Sequence, residues 1–156
     1  MNNFEITTPM ILVAAAILLA VLGVVLLIIA KKKKPIDMDL MEGREFEFYC
    51  ADLLQDSGFQ NVRVTRESGD FGIDVLAERE GISYAIQCKR YSDLVGIKAV
   101  QEAYAGRDLY DCMVGVVMTN QYFGKPAIQA AQKLKILLWD RDYVQWMEDG
   151  CEDYTG

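Results

Sequence analysis

The sequence predicts an α/β domain: a mixed β-sheet flanked by helices on both faces. Three observations carry that reading. After residue 40, strand-like apolar runs alternate with helical periodicities in the order α-β-β-β-α-β-α-β-α. Glu80-Gly81 separates two apolar runs, as a two-residue hairpin turn does. Cys112 to Met118 is apolar throughout, as in a buried strand.

Taken in order, residues 1–9 form a polar tail without a basic side chain, and residues 10–30 carry no charge. As a helix, residues 10–30 would span about 31 Å, the thickness of a bilayer's hydrocarbon core. Lys31–Lys34 follow at once. A cleaved signal peptide carries its positive charge before the apolar stretch, so this order predicts a retained, single-pass transmembrane helix. The positive-inside rule then puts the N-terminus outside an inner (cytoplasmic) membrane and everything after Lys31 in the cytoplasm. Residues 31–40 read as a basic juxtamembrane linker among anionic headgroups, 41–148 as the folded domain, and 149–156 as a frayed tail.

Within the domain, Met41 to Ser57 reads as a helix ended by Gly58, with Phe46, Cys50, Leu53 and Leu54 as its apolar stripe and Tyr49 at the edge. Glu47 falls beside Leu54, on the margin of that stripe. Asn61 to Thr65 is a strand, and the loop 66–70 leads into the hairpin. Gly96 to Arg107 reads as a helix with Ile97, Val100 and Tyr104 on one stripe and Gln101 at its border. Gly124 to Leu134 is a helix, Ile136 to Trp139 a strand, and Asp140 to Met147 a helix started by an Asp cap.

The hairpin gathers the chemistry. If Arg79 faces Ile82, then Asp74 lies opposite Gln87, and Gln87 and Lys89 share a face while Cys88 takes the other. An anion, a neutral oxygen donor and a cation thus meet on one patch of sheet, where directly opposite Cβ atoms lie roughly 5 Å apart. Asp70 reads as a turn-former near this patch.

Asp74 followed by Gln87-Cys88-Lys89 resembles the D…(E/Q)xK core of the restriction-endonuclease-like nucleases. The finer pattern is similar to the Mrr branch, the catalytic domain of type IV restriction endonucleases. The runs that carry it are Gly43-Arg44-Glu45-Phe46-Glu47, Gly69-Asp70-Phe71-Gly72-Ile73-Asp74, Ile86-Gln87-Cys88-Lys89-Arg90-Tyr91, Val100-Gln101-Glu102 and Val117-Met118-Thr119-Asn120. The resemblance implies a restriction-endonuclease-like sheet and catalysis by Asp74, Gln87, Lys89 and Glu47, with Gln101 and Asp70 in support. It implies Mg²⁺, or Mn²⁺ in its place, on Asp74, Gln87, Glu47 and the Cys88 backbone carbonyl. Gln87 stands where many relatives have Glu, itself a pattern of the Mrr branch. Full-length Mrr-type enzymes pair this domain with a separate DNA-recognition module; here a membrane helix takes that place.

Composition sets limits. Histidine is absent, and Cys50, Cys88, Cys112 and Cys151 show no C-x-x-C spacing, which excludes the common zinc sites and His-based catalysis. The net charge is −7, and four of the 16 basic residues are Lys31–Lys34, so the domain itself is more acidic than the whole chain. Between Val62 and Arg107, seven basic side chains match seven acidic ones, which makes nucleic-acid contact local. Arg66, Arg90 and Lys98 are the candidates for that contact. The expected partners are DNA, the lipid bilayer and a homodimer mate. RNA as substrate and a tethered, non-catalytic nucleic-acid-binding module are the alternative readings.

Overall fold

Among the described residues, five strands form one sheet and lie side by side in the order in which they follow along the chain. They are β1 (Gln60–Val64), β2 (Val75–Arg79), β3 (Ile82–Lys89), β4 (Val114–Thr119) and β5 (Ile136–Trp139), joined by helices α1 (Gly43–Asp56), α2 (Ile97–Leu109), α3 (Lys125–Leu134) and α4 (Arg141–Glu148). This is a computed structural model; it describes Val13 and residues 16–23, 37–66 and 71–150. The chain divides into two compact units, Met1–Ile36 and Asp37–Gly156.

In the first unit, Val13 and residues 16–23 are helical. Among the described residues no helix is long and apolar enough to cross a membrane. Most of the expected span over 10–30, the lysine run and Cys151–Gly156 lie outside the described residues.

In the second unit, β1, β2 and β3 are antiparallel, whereas β4 and β5 run parallel to β3. The sheet is therefore mixed, as expected. Each parallel step needs a long crossover, which α2 and α3 supply. One face of the sheet packs Val75, Ala77, Ile86, Cys88, Val116 and Met118 against Phe46, Cys50, Leu53 and Leu54 of α1 and Val144 and Met147 of α4. On the other face, Val117 packs against α2 and α3 through Val100, Ala103, Ala127 and Ala131.

Local chemistry explains most boundaries. At the hairpin, Glu80 and Gly81 both have positive φ (53° and 78°), the type I′ geometry that matches strand twist. A Glu42–Glu45 capping box starts α1, and Gly58 follows its end at φ 86°. The Asp140 side chain accepts from the Tyr143 N–H and starts α4 as expected. The stretch read as the end of the linker is part of the fold: Met38–Leu40 forms a 3-10 turn with Met38 buried in the core.

The expected stripe of α2 needs correction. Val100 is buried as expected, but Ile97 and Tyr104 are exposed; the helix turns Ala99, Ala103 and Gly106 to the sheet beside Val100. The reason is distance: a Cβ on Gly106 would stand 2.3 Å from Ile73 Cγ1 and 3.0 Å from the Phe71 carbonyl oxygen. Only small side chains let α2 approach so closely. Gly106→Ala should therefore destabilise the fold by about 1–3 kcal/mol, the cost of overpacking, although Ala normally favours a helix over Gly by about 1 kcal/mol. Denaturant unfolding of the two proteins checks the sign.

Candidate active site

The hairpin register is the expected one from Arg79↔Ile82 to Val75↔Ile86. Asp74 departs from it. Its N–H donates to the Ile86 carbonyl (2.9 Å), so the expected Asp74–Gln87 pair is not part of the ladder. Its own carbonyl accepts from the Thr65 N–H at 2.8 Å, while Thr65 Oγ1 donates to the Ile73 carbonyl at 2.6 Å. With backbone bonds on both sides, Asp74 is held where β2 ends. Its carboxylate Oδ2 accepts from the Cys88 N–H at 2.7 Å, and the residue is 9 % exposed. A side-chain oxygen thus serves the β3 backbone one residue beyond Gln87.

Gln87 is buried, at 2 % exposure. Its Nε2 donates to Glu102 Oε2 at 2.8 Å, and its Oε1 is buried with no hydrogen-bond partner among the described residues. Lys89 shares that face, with Nζ 3.1 Å from the same Glu102 oxygen. The other Glu102 oxygen lies 3.6 Å from Lys98 Nζ, whose side chain is largely exposed. Burial raises the Glu102 carboxyl, but the hydrogen bonds from Gln87 and Lys89 and the charges of Lys89 and Lys98 outweigh it and hold the group below its usual value.

Glu47 lies on the α1 side of the sheet, 2.6 Å from Arg44 Nη1, and Arg44 Nη2 donates to the Thr65 carbonyl at 3.0 Å. Arg44 thereby ties the Glu47 carboxylate to the strand end that also holds Asp74. The Cys88 thiol is pushed well above its usual value by the Cys50 thiol and by burial, and Asp74 and Glu47 add to the effect. Both carboxylates therefore bear on Cys88. Cys50 and Cys88 are buried and free, as the sequence suggests, and a protonated, enclosed thiol is a poor nucleophile.

The end of β3 is clamped from β4. Thr119 Oγ1 donates to the Lys89 carbonyl (2.6 Å), and the buried Asn120 side chain bonds both the N–H and the carbonyl of Tyr91 at 2.9 Å. Asn120 Nδ2 also donates to Asp39 at 2.7 Å. The bonds from Asn120 and Arg141 hold the Asp39 carboxyl below its usual value. In the sequence Thr119-Asn120 stands out only within the run Val117-Met118-Thr119-Asn120; in the fold the pair fixes the backbone from Lys89 to Tyr91.

Of the remaining candidates, Arg66 and Gln101 are exposed, Arg90 is half-buried, and Asp70 lies outside the described residues. The residue that α2 brings to Gln87 and Lys89 is Glu102, one position beyond Gln101. The close approach of α2 gives the signal that was missed. A stripe through Ala99, Ala103 and Gly106 leaves Glu102 three residues from one member and four from another, on the margin that faces the site.

Comparison with known proteins bears on the family and the fold. The profile of the Mrr catalytic restriction-endonuclease family matches residues 38–147. The chain belongs to that family. Its folded unit is a restriction-endonuclease-like nuclease domain, and the match begins at the buried Met38. Among solved structures, the protein of unknown function AF1548 is similar at 27 % identity and a TM-score of 0.54, over 62 % of this chain and 57 % of that one. The DNA modification-dependent restriction endonuclease AspBHI shares the fold at 18 % identity and a TM-score of 0.50, over 67 % of this chain and 31 % of AspBHI. The alignments thus span little more than half of the first protein and a third of the second. No curated protein matches.

Proposed function

We propose that this chain is a membrane-anchored, Mg²⁺-dependent endonuclease that hydrolyses DNA phosphodiester bonds, with restriction or defence as its setting. The observation that supports this best is the unpartnered, buried Oε1 of Gln87, one residue from the N–H that holds the Asp74 carboxylate. An acceptor buried without a donor costs free energy unless something occupies it, and a cation is a natural occupant. Among the described residues no three His, Cys, Asp or Glu side chains converge as a metal cluster. The donors are of mixed type instead: a carboxylate, an amide oxygen and a backbone carbonyl. That set suits a hard cation which keeps several of its waters.

The residues that would hold Mg²⁺, or Mn²⁺ in its place, are Asp74 and Gln87, with the Cys88 carbonyl and Glu47 completing the set. When bound, the cation would lower the pKa of a water and polarise the scissile phosphate. Lys89 would place its positive charge against the phosphate oxygens as negative charge grows on them. Arg44 holds the Glu47 carboxylate in a fixed orientation. Arg66, Arg90 and Lys98 would contact the backbone on either side of the cut. Their small number suits an acidic domain whose grip on DNA is local.

Two predictions follow from these roles. Full-length protein in detergent should nick supercoiled plasmid with Mg²⁺ and stop when the metal is chelated. Asp74→Ala and Lys89→Ala should each lower the rate by a factor on the order of 100. Without metal, Asp74→Ala should bind DNA as well as the parent or slightly better, and Lys89→Ala more weakly. If the parent cuts neither DNA nor RNA with Mg²⁺ or Mn²⁺, and all variants bind DNA equally, the tethered binding module replaces the nuclease.

The anchor is tested separately. With the uncharged run at 10–30 as the proposed anchor and Lys31–Lys34 on its inner side, a tag fused after Gly156 would lie in the cytoplasm. Protease added outside intact cells should leave that tag uncut; its cleavage would overturn the proposed orientation.

A further inference from the structure

Gln87 and Lys89 lean on one carboxylate, and its chemistry decides what Gln87 can do. We infer that Glu102 is a positioning residue: by accepting the Gln87 amide N–H and the Lys89 ammonium, it leaves Gln87 Oε1 as the atom offered to the cation. The inference rests on the nuclease reading above and adds to it a residue that acts through another.

An amide has two unlike ends, and only its oxygen can ligate a cation; its NH₂ would repel one. The torsion that exchanges those ends is soft and nearly two-fold, so the side chain has no strong preference of its own. An ionised carboxylate only accepts hydrogen bonds, so it selects the NH₂ end. At 2.8 Å from Nε2, Glu102 makes that selection and leaves Oε1 without a partner.

Other contacts hold the selector. Glu102 Oε2 is also 3.1 Å from Lys89 Nζ, and its other oxygen pairs with Lys98 at 3.6 Å. The turn at Gly72 (φ 75°) closes over the contact, where an added Cβ would stand 3.3 Å from Glu102 Cβ and 3.4 Å from Gln87 Nε2. The same carboxylate oxygen thus holds both the Gln87 amide and the Lys89 ammonium.

The test is Mn²⁺ affinity, measured directly on the full chain in detergent, with metal-free thermal melting to confirm that each variant folds. Glu102→Ala should weaken Mn²⁺ binding about tenfold, the low end for a partner that orients a metal ligand. Glu102→Gln, which still offers an acceptor oxygen of the same reach, should stay within about threefold of the parent. In a Gln87→Ala background, Glu102→Ala should change affinity by less than about twofold, because the residue it positions has gone. Glu102→Met, which keeps the stem but removes the carboxylate, replaces Ala if Ala fails to fold. Equal losses for Gln and Ala at 102, or the same loss in both backgrounds, would overturn the inference, since Glu102 would then act on the cation by its charge. A parent that cleaves but shows no loss with Glu102→Ala would overturn it alone. A parent that neither binds Mn²⁺ nor cleaves would remove the nuclease reading and this inference with it.

Discussion

Where β2 stops pairing with β3, the Asp74 carboxylate takes over and accepts the Cys88 N–H. The rest of the site depends on that substitution of side chain for backbone. It puts a carboxylate at the sheet end, on the backbone N–H of the residue that follows Gln87. Thr65, one residue past β1, and Ile86 of β3 hold its backbone, so the carboxylate is placed by bonds to residues in or next to the strands. Sites built on such rigid elements keep their geometry without help from the ligand.

Two helices then supply opposite kinds of support. From one face, α1 brings Glu47 already paired with Arg44. From the other, α2 brings Glu102, which gathers Gln87, Lys89 and Lys98. Gln87 itself is neutral, and Glu102 places a carboxylate next to it without taking its position. The acidic balance of the domain is thus partly concentrated where cations are gathered.

Much of this was legible in the sequence, and the failures have physical causes. The hairpin register could be counted because Glu80-Gly81 admits one compact turn. Its last pair could not, because the bonds of Asp74 come from Thr65 and Ile86, which only the folded sheet brings near. The stripe of α1 was plain because Phe46, Leu53 and Leu54 are large. The stripe of α2 was misread because a helix packed this closely uses Ala and Gly, which carry little hydrophobic signal, while Ile97 and Tyr104 stay outside. That hides Glu102: a stripe through Ile97, Val100 and Tyr104 has Gln101 at its border. The clamp made by Thr119 and Asn120 is not legible in the sequence because their partners, Lys89 and Tyr91, lie about 30 residues away.

The central claim is that Gln87 presents its oxygen to a divalent cation held with Asp74. A crystal structure of the protein grown with Mn²⁺, phased at the manganese edge, tests it most directly. One anomalous peak is expected in direct coordination of Gln87 Oε1 and an Asp74 oxygen, with Gln87 Nε2 still on Glu102. A peak that avoids both residues, or none at all with Gln87 Oε1 turned to a protein donor, would contradict it.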